Sequence, residues 1–386
     1  MVKVLSIVVL LLGVFFGQLV SASAAVTWPL EPNVKAKSWV LLDARSGQVL
    51  AKNDENKRLA PASMTKIMTL YLAFEAAKQG TLDLDERVNV SKKAWKIGGS
   101  TMFLEPRMHP TVREVIHGIS TLSGNDASVV MAEHMAGSTD EFVRLMNAKA
   151  LQLGMKNSHF MNPTGFPEDN HFSSAMDMAK LGVAIWRDFP EFFKIFSEKS
   201  YTFDGRKQWN RNKLLWSLPE TKGLKTGHTE EAGYCLTAAV EKGNMRLVSS
   251  LFGTESDKSR HEQSKVLLKY GMRQFVTMQP RDKKIKRKIE VFEGKDDAIW
   301  LKPAKPIWIT VPKGSERKVA FKLDYTSPQR APITKGQVIG SIQAVLRTGD
   351  EDVVLQTVPM LAQQSVERAS WFGRKTDALK LWWRSQ

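Results

Sequence analysis

Ser63 and Lys66 stand one helical turn apart in "APASMTKIMTLYLAF", Ala60 to Phe74, at the mouth of an almost wholly apolar helix. A hydroxyl and an amine at i,i+3 share one helix face, so the pair can serve as nucleophile and base. Pro61 suits a helix start, and Ile67, Met68, Leu70, Tyr71, Leu72 and Phe74 make the segment too apolar for a surface helix. A lysine buried there is costly unless it has partners or a task. The pair alone decides nothing, because Ser315 to Lys318 repeats it in a strand-rich part of the chain.

Two further groups follow, about 60 and then about 100 residues on. Ser123-Gly124-Asn125 lies in "GISTLSGNDASVV", in a turn leading into a helix that starts near Ala127. Lys225-Thr226-Gly227 lies in "TKGLKTGHTEEAGYC", at the edge of returning strand patterns. A decoy of the last group, "LRTGDE" around Arg347 to Gly349, has no such company.

Taken in order, the three groups resemble the active-site set of the penicillin-recognising serine acyl-transferases: Ser-x-x-Lys, Ser-x-Asn and Lys-Thr-Gly. Gly124 stands where class A β-lactamases carry Asp, and no Glu-x-x-Leu-Asn element follows. "SGNDAS", "MFLEP", "GMKNSHF", "SSAMDMAKLG" and "GLKTGHTEEAGYC" resemble the low-molecular-mass penicillin-binding proteins of the D-alanyl-D-alanine carboxypeptidase type. The likeness covers nearly the whole chain.

That resemblance implies acyl transfer through Ser63, with Lys66 taking the serine proton, Ser123 relaying a proton to the leaving amine and Asn125 bonding the substrate peptide. It implies that Lys225 and Thr226 face the substrate's terminal carboxylate, that Gly227 lets the strand approach the ligand, and that Arg260, in "SDKSRHEQ", lies near the same carboxylate. The backbone N–H groups of Ser63 and His228 form the expected oxyanion hole. For Lys66 to act as a base it must be neutral, and a free lysine titrates near about 10.4. Burial and a neighbouring cation, with Lys225 the candidate, both lower that value. The expected partners are a peptidoglycan stem peptide and β-lactams as covalent inhibitors. A related β-lactamase, esterase or endopeptidase, or a non-catalytic envelope scaffold, stays open at this stage.

No metal or organic cofactor is called for: the seven histidines lack ligand spacing and no Gly-rich phosphate loop occurs. The net charge of +16 suits an anionic partner such as an acidic membrane face or wall polymer. Nucleic acid fits poorly, since the charge is dispersed and the chain reads as exported.

Residues 1–25 read as a secretory signal peptide, with Lys3, an apolar run from Val4 to Phe16, and small residues at Ala22, Ser23, Ala24 and Ala25. Cys235, the only cysteine, reads as a small buried hydrophobe in "GYCLTAAV".

Residues 26–280 read as the catalytic domain, an α+β fold of the β-lactamase/transpeptidase-like kind implied by the resemblance, with an antiparallel sheet and helices. "SWVLLDARSGQVLAKN" reads as two strands around Ala44 to Gly47. Ser138 and Glu141 make a capping-box pattern before a face of Phe142, Leu145, Met146 and Leu153, and Gly154 stops that helix.

Beyond the basic stretch Arg281 to Glu290, residues 283–360 read as a small all-β, sandwich-like domain. Residues 365–386 read as an amphipathic helix. At about 100° per residue Trp371, Phe372, Ala378, Leu379, Trp382 and Trp383 gather opposite Arg374, Asp377, Lys380 and Arg384. Such a helix fits an anionic membrane surface, on the periplasmic face of a bacterial inner membrane.

Overall fold

The computed structural model describes residues 28–349 and 351–384. The signal-peptide segment, 1–25, lies outside the described residues. Strand β1 (Ser38–Asp43) turns into β2 (Val49–Asn53). The first of these strands is apolar from Trp39 to Leu42 because both faces are covered, but the sides still alternate: Val40 and Leu42 enter one core, Trp39 and Leu41 the other.

A 3₁₀ turn, Ala62–Thr65, feeds α1 (Lys66–Lys78), and α2 (Lys92–Lys96), α3 (Val112–Ser120), α4 (Asn125–Ala136), α5 (Thr139–Gln152) and α6 (Ala175–Asp188) follow. A two-stranded hairpin, β3 (Ser200–Phe203) with β4 (Arg206–Trp209), and a short helix α7 (Leu214–Ser217) lead back to the sheet. There β5 (Thr221–Thr229), β6 (Gly233–Lys242) and β7 (Met245–Thr254) complete an antiparallel sheet in the order β2-β1-β7-β6-β5. α8 (Asp257–Gln274) covers one face, with Leu267 and Leu268 against Leu41, Leu236 and Leu247. α1 and its neighbours cover the other.

α1 is surrounded, since Lys66 to Phe74 are all buried. That is why its sequence is apolar all round: it is a central post rather than a surface helix. Ser63 does not cap it, because the serine lies within the tighter 3₁₀ turn ahead of Lys66. Ser138 accepts a hydrogen bond from Glu141 N–H at the start of α5, and Phe142 and Met146 are buried. Leu145 is exposed instead, so the apolar stripe of that helix is narrower than its sequence suggests.

After β8 (Phe275–Met278) and α9 (Asp282–Ile285) come β9 (Arg287–Phe292), β10 (Ala298–Pro303), β11 (Ile309–Pro312), β12 (Val319–Tyr325), β13 (Gln329–Arg330), β14 (Val338–Arg347) and β15 (Asp352–Ala362). Six of these form a second sheet in the order β12-β14-β15-β10-β9-β13, over a core that includes Ile299, Leu301, Ile342 and Val358. β11 instead pairs with β8. The junction is fastened by polar groups: Thr277 Oγ1 donates to Asp43 Oδ2 over 2.6 Å, and Ser46 and Thr310 hydroxyls lie 2.8 Å apart.

Helix α10 (Trp371–Arg384) ends the described chain. Asp377 is buried, accepting from the Glu293 N–H at 2.7 Å. Trp371, Phe372, Leu379, Trp382 and Trp383 are exposed, so the helix touches the protein through Asp377 and turns its aromatic side outward. Among the described residues no helix is long and apolar enough to cross a membrane.

Candidate active site

The 3₁₀ turn that carries Ser63 is held in shape by backbone. Ala62 has φ +48°, a left-handed conformation that costs a side-chain-bearing residue on the order of 1–3 kcal/mol. A side chain on Gly165 would strike the Ala62 carbonyl oxygen, and a Cβ on Gly227 would lie 2.8 Å from the Pro61 carbonyl oxygen. Gly227 therefore lets β5 press against the serine turn. That differs from the expectation that it makes room for a ligand, and the reason is that its missing Cβ points at chain already there.

Lys66 is fully buried behind Ser63. Its Nζ lies 3.0 Å from Ser63 Oγ, 2.7 Å from Asn125 Oδ1 and 2.6 Å from the Thr164 carbonyl oxygen. Burial, and then the charge of Arg211, lower its pKa to about 7. Once neutral, the amine has two N–H groups and one lone pair. Asn125 and Thr164 can only accept from it, so the lone pair is left for the Ser63 hydroxyl proton.

Arg211 joins the expected Lys225 as a cation acting on Lys66, since the repulsion between the two buried lysines is mutual. Lys225 is itself buried and held well below the usual lysine range, chiefly by desolvation and then by Lys66, Arg211 and Arg260. Its Nζ donates to the Thr226 carbonyl oxygen at 3.1 Å.

In front of Ser63 lies a cavity of about 460 Å³ whose lining includes Ser123, Arg211, Thr226, Gly227, His228 and Arg260. Lys66, Asn125 and Lys225 stand behind its wall. Ser123 has φ +64°, the second strained residue at the site. Asn125 begins α4 and donates through Nδ2 to the Gly98 carbonyl oxygen at 2.8 Å, so both ends of its amide are engaged inside the protein. The next residue, Asp126, is buried and accepts from the N–H groups of Met102, Leu104 and Ala127, which ties the 102–104 segment to the Ser123 turn.

β5 is an edge strand, so its outer backbone groups face the cavity side unpaired by sheet. The exposed His228 ring stacks on Tyr234, with centroids 3.9 Å apart. Arg260 sits on α8 and donates to the Gly227 carbonyl oxygen at 3.1 Å and to Asp257 Oδ1 at 2.5 Å. It thus grips β5 at the residue beside the serine turn while turning a cation toward the cavity. The decoys lie elsewhere: Ser315 precedes the 3₁₀ turn Glu316–Lys318, and Arg347 ends β14.

Sequence reasoning missed Arg211, Thr164 with Gly165, and His171. Asn-Arg-Asn at 210–212 carries the signal for the first: Asn210 and Asn212 are buried and accept from Asn212 N–H and Leu214 N–H, leaving Arg211 on the outside of the bend. In the 162–166 loop Asn162 Oδ1 accepts from the N–H groups of Thr164, Gly165 and Phe166, an Asx-type turn that Asn, Pro and Gly announce. Among the described residues no group of His, Cys, Asp and Glu is arranged to hold a metal ion. Cys235 is buried in β6, and desolvation raises its thiol pKa to about 11.

Comparison with known proteins adds a second line. A family model described as D-alanyl-D-alanine carboxypeptidase matches residues 25–256, and one for the C-terminal domain of penicillin-binding protein 5 matches residues 274–368. The chain is 39% identical over 365 residues to the D-alanyl-D-alanine carboxypeptidase DacA of Escherichia coli K12, covering 92% of this chain and 89% of that protein. Penicillin-binding protein 5 of Haemophilus influenzae superposes with a TM-score of 0.83 at 36% identity, over 88% of this chain and all of that one. Penicillin-binding protein D2 of Listeria monocytogenes, solved in an ampicillin-bound form, superposes with a TM-score of 0.58 at 27% identity, over 62% of this chain and 100% of that one.

Proposed function

Since this chain belongs to the D-alanyl-D-alanine carboxypeptidase family and is a serine-type carboxypeptidase, we propose that Ser63 is its acylated residue and Lys66 the base. Ser63 Oγ loses its proton to neutral Lys66 and attacks the carbonyl of the penultimate D-alanine of a peptidoglycan stem peptide. The tetrahedral oxyanion is held by the backbone N–H groups of Ser63 and His228, a role commonly worth about 10²- to 10³-fold per donor. As the intermediate collapses, the peptide C–N bond breaks and the proton passes by way of Ser123 to the departing amine. Terminal D-alanine leaves, and water then hydrolyses the ester and regenerates Ser63. Penicillins acylate the same oxygen.

The terminal carboxylate of the substrate is drawn to the cationic end of the cavity. Thr226 offers a hydroxyl there, and Lys225, Arg211 and Arg260 supply the field. Asn125 holds Lys66 and bonds the substrate peptide once substrate draws its amide away from Gly98.

The observation that carries this reading is the amine of Lys66, buried and lowered to about 7, at 3.0 Å from Ser63 Oγ. General-base help of this kind typically contributes about 10²- to 10⁴-fold. The test is labelling by a fluorescent penicillin together with D-alanine release from a pentapeptide, in wild type and Ser63→Ala. Labelling and release that survive the substitution would remove Ser63 from the mechanism.

We further infer that α10 binds an anionic membrane surface and that the enzyme works at the periplasmic face of a bacterial inner membrane. The outward aromatic side of that helix, beside basic residues, supports this. Residues 1–25 then serve as the export signal.

A further inference from the structure

One surface next to the cavity has no part in the chemistry above. In the β3–β4 hairpin Thr202 pairs with Lys207 and Ser200 with Trp209, and side chains alternate along each strand, so Lys207 and Trp209 share one face. Trp209 is 60% exposed. The opposite face is anchored: Tyr201 stacks on His117, with centroids 4.7 Å apart, and Gln208 donates to the Thr101 carbonyl oxygen at 3.3 Å. Trp216, on α7, is 46% exposed and lies 6.3 Å from Trp209, ring centre to ring centre.

Each indole has a lysine over it, Lys207 at 4.6 Å from Trp209 and Lys199 at 5.8 Å from Trp216. From Lys199 to Lys213 the chain has five cations and one acid, and among the described residues only Lys213 is ion-paired, with Asp257. Two large aromatic faces left in water beside unpaired cations mark a binding surface rather than a core.

Trp209 also lines the cavity in front of Ser63, so the surface is continuous with the substrate cleft. A stem peptide of a few residues, at about 3.4 Å each, carries its sugar on the order of 10–15 Å from the scissile bond, which places the sugar at the rim of that cleft. Pyranose rings present flat C–H faces that lie on aromatic rings, while lysine ammonium groups donate to the hydroxyl and acetamide oxygens around those rings. We propose that Trp209 and Trp216, with Lys199 and Lys207, form a docking surface for the glycan strand of peptidoglycan. This rests on the carboxypeptidase reading for its choice of polymer.

The test uses the full chain and two probes: glycan strands stripped of stem peptides by an amidase, and a free pentapeptide. Wild type binds the stripped strands, and Trp216→Ala and Lys207→Glu each weaken that binding about tenfold, the scale of losing one anchor at an interface. Release of D-alanine from intact sacculi falls with it, while release from free pentapeptide and penicillin labelling stay unchanged, which also shows that the variants fold. Equal binding of stripped strands by wild type and both variants overturns the proposal. So does wild-type binding only to strands that still carry peptides, which would assign the surface to the peptide. Failure of wild type to cleave free pentapeptide would instead defeat the carboxypeptidase reading and leave the strand measurement standing.

Discussion

Asn125 accepts a hydrogen bond from Lys66 through its side-chain oxygen, at 2.7 Å, in a buried site. A neutral acceptor there leaves the amine free to lose its proton, whereas a carboxylate would stabilise the ammonium. Asn125→Asp is therefore expected to move the acid limb of the kcat/KM profile upward by about one pH unit or more. A midpoint that stays where wild type has it would separate Asn125 from the proton chemistry.

Wild-type acylation is expected to rise with pH through about 7 and then level, because burial and Arg211 hold Lys66 near that value and only its neutral form accepts a proton. Arg211→Gln removes the neighbouring cation, so the midpoint moves up. Lys66→Arg, charged at every working pH, lowers the acylation rate about 10²- to 10⁴-fold. Stopped-flow acylation by a chromogenic cephalosporin across about pH 5 to 10, which brackets the lowered lysine value of about 7, reads all three.

Two glycines with positive φ make a matched comparison. Gly165→Ala drives a methyl group into the Ala62 carbonyl oxygen, whereas Gly154→Ala meets nothing within 4 Å. Both strain the backbone by about 1 kcal/mol or more. Only Gly165→Ala is expected to displace Ser63 and to lower penicillin acylation, by about 10²-fold. Thermal melts and labelling rates measured side by side decide it, and equal activity in the two variants would refute the close packing of the serine turn.

His171 is buried with its pKa lowered to about 4, chiefly by desolvation. Its Nε2 lies 3.0 Å from Thr65 Oγ1, and its Nδ1 accepts from the Met161 N–H, so a neutral ring satisfies both contacts. The unfolded chain binds this proton near about 6.5 and the folded one near about 4. The stabilisation is thus whole above 6.5 and lost as pH falls, amounting to about 3 kcal/mol by pH 4. Urea midpoints should drop across that window in wild type and drop less in His171→Gln; parallel slopes would place the acid sensitivity elsewhere.

Leu379→Glu with Trp383→Glu adds charge to the outward side of α10 and removes two apolar side chains, each worth about 1.5–3 kcal/mol when buried. The doubly substituted protein is expected to leave the membrane fraction and to keep its penicillin labelling. Retention in the membrane would assign the attachment to another part of the chain.

The motifs were legible because each is short and the chemistry restricts its residue types. Ser63, Lys66 and Ser123 announce themselves by order and context. What local sequence does not show is contact across long separations. Lys66 meets Thr164 nearly a hundred residues on, and Gly165 matters only because the folded chain brings Ala62 against it. Arg211 acts on Lys66 beside the expected Lys225, from a bend far along the chain that no local pattern ties to the serine turn. The apolar face of α5 was read one residue too wide at Leu145, since periodicity says which side faces inward but not how far a neighbour reaches. Strand pairing in the second sheet, where β15 sits between β14 and β10, depends on long-range partners that no local pattern names.

The serine turn is walled by main chain, with the carbonyls of Ala62 and Pro61 set against the bare α-carbons of Gly165 and Gly227. Point mutation could add a side chain only at the two glycines, and any added there strikes those carbonyls, so natural variation finds almost nothing in such walls that it can change and keep. Descendants of this enzyme that lose affinity for one acyl donor while keeping another will therefore carry their changes along the rim, at positions such as Arg211 and Trp209, and will leave the turn itself untouched.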